Sequence, residues 1–244
     1  GTQILVGDNL VSDSFGVATV RPLSLASTGS GGADTISAVN VAAVILAGGG
    51  ADIVTATGAQ IIMGDTGTVT LSAAGRVLRA VSDGAAGGAA DTINLASAGS
   101  VVIGGDGADV ISAAGGINIL LGDDGDVTYA ATGADRVESL WTSRSGADSI
   151  TGGVGRDVIL GGGGSDVIAT GEGDNIAFGD NGILSGLAAH IAAGLTLPKE
   201  NGTLVILASA TDDNKGGDDQ LTGGGGRDLL IGGQGADTIL GGAG

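Results

Sequence analysis

The sequence contains no cysteine, which excludes disulfide staples and thiolate metal centres alike and leaves the redox compartment open. Aromatic residues are nearly absent: Trp141, Tyr129, Phe15 and Phe178 are the whole supply among 244 residues. A core built around large rings is thereby excluded, and small aliphatic side chains must do the packing. Basic residues are scarce, 9 against 27 acidic ones, for a formal charge of −18. Nucleic acid is a poor partner for such a chain, because its phosphates would be repelled. There is one histidine, His190, and no Gly-x-Ser-x-Gly, His-Glu-x-x-His or Gly-x-x-x-x-Gly-Lys-Ser/Thr phrase, so most acid–base and nucleophilic constellations are ruled out. No apolar run is long enough to span a membrane, and no charged and apolar leader opens at Gly1. The chain reads as a non-enzymatic, soluble segment of something longer.

What is abundant is glycine, 52 residues, alongside 42% hydrophobic residues and a mean hydropathy of +0.39. That hydrophobic share argues for a folded chain in spite of the glycine. The acidic residues are almost all aspartate, since Glu138, Glu172 and Glu200 are the only glutamates. Short carboxylate side chains in glycine-rich surroundings suit turns and sites for hard cations.

Self-similarity runs at two nested periods. The short one is a nonapeptide, Gly-Gly-x-Gly-x-Asp-x-aliphatic-x, seen at 152–160, 161–169, 223–231 and 232–240. The long one is marked by a Gly-Asp phrase at Gly7-Asp8, Gly64-Asp65, Gly122-Asp123 and Gly179-Asp180. These phrases divide the chain into the end of a preceding unit (1–6) and four units, 7–63, 64–121, 122–178 and 179–244, the last with a longer connector and an unfinished end. The sixth nonapeptide position then reads Asp34, Ala43, Asp52, Gln60; Asp91, Ser100, Asp109, Asn118; Asp148, Asp157, Asp166, Asn175; and Asp219, Asp228, Asp237. Consecutive registered copies are a specific signal.

On these residues the chain resembles the RTX (repeats in toxin) calcium-binding nonapeptide repeats, most clearly over 152–169 and 223–240. The resemblance implies an all-β fold, a parallel β-roll or β-solenoid with calcium in its turns, and export by type I secretion.

Physical reasoning on the nonapeptide leads to the same expectation. Three residues make a short strand with its middle side chain inward, and the six before it make a glycine-rich turn. Ile36, Ile45, Val54, Ile93, Val102, Ile111, Ile150, Ile159, Ile168, Leu221, Leu230 and Ile239 fall on the inward position. Two nonapeptides complete a coil, so residues 18 apart stack about 4.8 Å from one another. Asp34 then lies over Asp52, Asp91 over Asp109, Asp148 over Asp166 and Asp219 over Asp237. Such carboxylates repel until a divalent cation bridges them, and an oxygen-only donor set selects Ca²⁺. The candidate metal ligands are these eight with Asp157 and Asp228. The other side of the coil, with Ala43 and Ser100, looks stripped of calcium in the first two units, and the amides Gln3, Gln60, Asn118 and Asn175 are placed to hydrogen-bond along the stack without metal.

Between the nonapeptide blocks, residues 67–83 alternate about Ala74-Gly75 and predict a β-hairpin. Val17 to Ser27 and Asp126 to Ser143 are comparable, and these connectors hold Arg21, Arg76, Arg79, Arg136, Arg144 and Trp141. Leu184, Leu187, Ile191 and Leu195 have helical spacing and predict a short helix on the roll; His190 within it reads as a surface or packing residue. The function expected is that of a calcium-binding structural array in an extracellular or cell-surface protein of adhesin, fibre or surface-layer type. It would stiffen on extracellular calcium and continue, or self-associate, end to end. The alternative is a ligand-binding solenoid, such as an ice- or carbohydrate-binding segment. For ice a regular threonine row would be needed, and Thr35, Thr92 and Thr238 are interrupted by Ile53, Val110, Val158 and Val167.

Overall fold

The computed structural model describes residues 3–8, 10–12, 23–27, 31–39, 42–84, 88–96, 99–140, 145–188, 206–209 and 216–244. They form 24 strands in three sheets of eight. The nonapeptide strands fall alternately into two parallel sheets, which are the two walls of a β-roll. The outer wall contains β4 (Thr35–Ala38), β6 (Ile53–Ala56), β10 (Thr92–Leu95), β12 (Val110–Ala113), β16 (Ser149–Thr151), β18 (Val167–Gly171), β22 (Gln220–Gly223) and β24 (Thr238–Leu240), in that spatial order. The middle wall contains β1 (Gln3–Val6), β5 (Ala43–Leu46), β7 (Gln60–Met63), β11 (Val101–Ile103), β13 (Ile119–Leu121), β17 (Val158–Leu160), β19 (Ile176–Phe178) and β23 (Leu229–Ile231).

The pairing has the anticipated 18-residue register. Thr35 opposes Ile53, Thr92 opposes Val110 and Ser149 opposes Val167. Unit boundaries do not interrupt it, since Ile53 also opposes Thr92. Between the walls lies a thin aliphatic core of Ile45, Val54, Ile62, Ile93, Val102, Ile111, Leu120, Ile150, Ile159, Ile168 and Leu221, all buried. At the edge of the outer wall Ile239 remains exposed.

The connectors build the third layer. The chain leaves the middle wall at each Gly-Asp phrase and runs into β2 (Leu10–Ser12), β3 (Leu23–Ser27), β8 (Gly67–Leu71), β9 (Val77–Ser82), β14 (Gly125–Ala130), β15 (Gly133–Ser139), β20 (Gly182–Ser185) and β21 (Ile206–Ser209). These eight pair antiparallel, in chain order, into one continuous sheet. The Ala74-Gly75 hairpin is present, with β8 and β9 on either side of it. Arg79 joins adjacent hairpins through a bidentate pair with Asp126 (2.8 and 2.7 Å), and Arg76 donates to the Ala130 carbonyl. Trp141, Arg21, Arg144 and His190 lie outside the described residues.

The third sheet packs on the back of the middle wall. Middle-wall strands are therefore buried on both faces: Leu46, Met63, Ile103, Leu121, Leu160 and Phe178 point away from the roll interior, against Val69, Val127, Val137 and Leu184. Three of the four exits from the roll are shaped by a glycine four residues after the last large side chain. Gly67, Gly125 and Gly182 leave room for Met63, Leu121 and Phe178, whose side-chain atoms lie less than 3.0 Å from where a Cβ would stand.

Two expectations are corrected. Leu184 is not on a helix; it is in β20 and pairs with Val137, because the third sheet offers Ile183 and Leu184 an unpaired edge at β15. Leu187 and Ala188 are helical, so the helix starts after β20; Ile191 and Leu195 lie outside the described residues. Val158 does not interrupt a row with Thr35 and Thr92, since it belongs to the middle wall and is buried there.

Candidate metal centre

The sixth-position aspartates of the outer wall form one unbroken ladder, where the spacing alone pointed to four separate pairs. The backbone N–H of each donates to Oδ1 of the next. Asp34 donates to Asp52, Asp52 to Asp91, Asp91 to Asp109 and Asp109 to Asp148, each at 2.7 Å. Asp148 donates to Asp166 and Asp166 to Asp219 at 2.8 Å, and Asp219 to Asp237 at 3.0 Å. A 39- or 53-residue excursion through the third sheet thus returns the chain to the same column.

This leaves the second oxygen of each carboxylate. Oδ2 of Asp52, Asp91, Asp109, Asp148, Asp166 and Asp219 is buried without a hydrogen-bond partner. A buried acceptor in that state costs free energy unless something answers it. Oδ2 of Asp91, Asp109, Asp148, Asp166 and Asp219 faces the first glycine of a turn, where a carbonyl oxygen of the neighbouring coil converges on the same place. At Gly122, Asp148 Oδ2 and the Gly161 carbonyl both come within 3.0 Å of the position of a Cβ, and at Gly161 the pair is Asp166 Oδ2 with the Gly179 carbonyl. A Cβ at these glycines would crowd both oxygens, and in the first unit the matching position is the buried Ala47. Among the described residues no three acidic side chains meet at one point, so the donor set is carboxylate plus backbone carbonyl, all oxygen. That set fits a hard divalent cation such as Ca²⁺.

The electrostatics follow from burial. Desolvation is the largest influence on every shifted ladder carboxyl, and neighbouring carboxylates add to it at most rungs. Asp52 is raised to about 6, Asp91, Asp148 and Asp219 to about 7, Asp166 to about 8 and Asp109 to about 10. The amide hydrogen bonds pull the other way without overcoming it.

The opposite turn column is built differently. Ser100 N–H donates to Asn118 Oδ1 (3.1 Å), Asn118 N–H to Asp157 Oδ1 (2.8 Å), Asp157 N–H to Asn175 Oδ1 (2.8 Å), and Asn175 N–H to Asp228 Oδ1 (3.1 Å). Here the amide groups also donate: Asn118 Nδ2 reaches Asp157 Oδ1 at 2.9 Å and Asn175 Nδ2 reaches Asp228 Oδ1 at 3.0 Å. The asparagines thus hydrogen-bond along the stack with no charge of their own. Asp157 and Asp228 keep a buried, unpartnered Oδ2 each, and burial raises Asp157 to about 6. Ala43 has no polar side chain, and Gln60's side chain lies outside what is described.

The Gly-Asp phrases, read in the sequence as period markers, hold a second set of carboxylates. Asp123 accepts from the backbone of Gly146 (3.1 Å) and Gly163 (2.5 Å). Asp65 accepts from Asp106 N–H (2.5 Å), Asp8 from Gly49 N–H (2.7 Å), and Asp180 from the amides of Gly217 and Gln234. Each aspartate stands where the coil is cut open for a connector, and its carboxylate pins the returning chain or the next turn across the gap. Burial raises Asp65 to about 8 and Asp123 to about 9, with Asp91 and Asp148 the respective charged neighbours. The signal that could have identified them is their place in the nonapeptide, where aspartate replaces the second glycine.

A two-walled parallel roll with an all-oxygen turn ladder defines a calcium-binding solenoid. In four copies, over residues 103–137, 143–182 and 213–244, the sequence matches the family model described as the RTX calcium-binding nonapeptide repeat. Over those segments the chain carries RTX nonapeptide repeats, whose cofactor is Ca²⁺ in several copies. No curated protein and no solved structure matches it.

Proposed function

We propose that the chain is a structural repeat array of a secreted or cell-surface protein, of adhesin, fibre or surface-layer type, that folds and stiffens when it meets extracellular calcium. The observation that carries this reading is the run of buried Oδ2 atoms with no partner along the outer-wall ladder. Asp34, Asp52, Asp91, Asp109, Asp148, Asp166, Asp219 and Asp237 would hold the ions, with first-glycine carbonyls completing each shell, and Asp157 and Asp228 would serve on the opposite column. Bound calcium would supply the positive charge that a stack of carboxylates lacks and tie consecutive coils together. Low cytosolic calcium would keep the chain extended for type I export. The half-exposed rung at β23 and the exposed one at β24 would be covered by further coils, from the same chain or from a second copy.

The test is a calcium titration followed by circular dichroism. The β-signal is expected to grow cooperatively at about 10⁻⁴ to 10⁻³ M, the range of extracellular modules; a full signal in excess chelator would overturn the reading. The ladder has its own test at pH 8. Asp148→Asn keeps the acceptor for Asp109 N–H and removes a buried charge, so the chelated protein is expected to gain about 2 to 4 kcal/mol, while calorimetry counts fewer bound ions. Ser100→Ala, whose hydroxyl reaches the Gly58 carbonyl only at 3.5 Å, is expected to change stability by under about 1 kcal/mol and leave the ion count unchanged. An unaltered count in Asp148→Asn would remove that residue from the ligand set.

A further inference from the structure

The solvent face of the outer wall differs from the rest of the surface. On each of its eight strands the fifth, seventh and ninth nonapeptide positions point outward, and of these 24 side chains only Asp218 is charged. The chain as a whole has a formal charge of −18. Charges are plentiful elsewhere: Arg79, Arg136 and Glu138 on the third sheet, and Glu172, Asp174 and Arg227 along the second turn column.

The face is also patterned. Ile53, Val110 and Val167, which are 47%, 42% and 48% exposed, alternate strand by strand with Thr35, Thr92 and Ser149. The fifth position is alanine on six of the eight strands. The result is a field mostly of β-branched and small side chains at strand spacing, with Asn94, Gln220 and Leu240 the larger ones on it.

We infer that this face is a self-association surface, on which a second copy of the chain packs sheet to sheet. Charge selects the partner. Two copies can meet on this face without opposing charged side chains other than Asp218. Size agrees with it: eight strands by three outward positions make a field of roughly 38 by 20 Å, close to the ~800 Å² per partner of a standard interface. Shape agrees as well, because flat pleated faces with short side chains pack at about 10 Å in β-sandwiches. The contact is isologous, so it closes on a pair and leaves the coil ends free. This goes beyond calcium-dependent folding and requires only that the roll be formed.

Sedimentation equilibrium of the full chain in saturating calcium tests it, with circular dichroism on the same samples. Wild-type chain is expected to be dimeric, and Val110→Lys with Val167→Lys to be monomeric with an unchanged β-signal. The control Ile117→Lys with Val154→Lys, on exposed apolar residues outside the face, is expected to stay dimeric. If the lysine variant fails to fold, Val110→Thr with Val167→Thr, which extends the threonine pattern already present, is expected to raise the dimer dissociation constant about tenfold. A wild-type chain that is folded and monomeric overturns the inference, including one whose face instead alters ice growth or retains a polysaccharide. Failure to fold in calcium would count against the proposed function and is told apart by the dichroism.

Discussion

In excess chelator the chain is expected to have little β-structure at pH 8 and to recover it as the pH is lowered to about 5. The sign follows from the ladder. A carboxyl whose folded-state pKa lies above its unfolded value near 3.8 contributes stability that is complete below that value and lost as the pH rises through the folded pKa. Asp52 and Asp157 at about 6, Asp91, Asp148 and Asp219 at about 7, Asp65 and Asp166 at about 8 and Asp123 at about 9 spread that loss across neutrality. A shift of three pKa units is worth about 4 kcal/mol, so even a few such groups rival the roughly 5 to 15 kcal/mol of a whole domain. Calcium reverses the trend, because it competes with the same protons, and its apparent affinity is expected to rise with pH over this window. Dichroism of the chelated chain at successive pH values decides the matter: a β-signal that is flat, or that grows with rising pH, would contradict the ladder electrostatics.

Replacing a single glycine is expected to do comparable damage. In Gly122→Ala the new methyl group stands against Asp148 Oδ2 and against the Gly161 carbonyl, 2.5 Å away, so the carboxylate or the neighbouring coil has to give way. Gly122 is not a positive-φ residue, so the cost is purely steric. We expect a loss of about 3 kcal/mol in calcium, with at least one ion missing from the count. Gly75→Ala is the matched comparison. It places alanine at φ +75° in open space at the hairpin tip, which costs about 1 to 2 kcal/mol through the backbone alone and leaves calcium binding intact. Equal penalties and equal ion counts in the two variants, by thermal melting and calorimetry, would show that the glycine cradle has no part in binding.

The column of aspartates could be read in the sequence because the nonapeptide fixes both strand and turn, and an 18-residue coil then places Asp34 by Asp52 without any knowledge of the rest. Continuity between units could not be read so easily. The contact of Asp52 with Asp91 spans 39 residues, and that of Asp166 with Asp219 spans 53, each with a connector of its own length. The third layer was half visible. Alternation about Ala74-Gly75 revealed a hairpin, but not that every hairpin joins the next. The missing clue was in the roll itself, where Val101 and Ile103, Ile119 and Leu121, and Ile176 and Phe178 flank the inward residue, while the outer wall has Thr35 and Ser37 at the same positions. Apolar flanks on alternate nonapeptides mean a wall covered on both sides. The helical spacing holds at Leu187, which is helical, but begins too early at Leu184, because a leucine fits a helix and a half-buried strand alike until a pairing edge is known.

The third sheet also settles a problem of bookkeeping that any solenoid of near-identical coils faces. Slipping one coil past its neighbour by 18 residues would leave aspartate over aspartate and isoleucine over isoleucine, so the roll by itself scarcely distinguishes right from wrong alignment. A connector emerging one coil early, however, would miss its antiparallel partner, strand Arg79 away from Asp126, and set Met63 or Phe178 against the wrong glycine. The smallest tolerated slip thereby grows from one coil to one full unit of two coils and a hairpin. Calcium can rivet the coils, but the hairpins on the back of the roll determine which coils are riveted together.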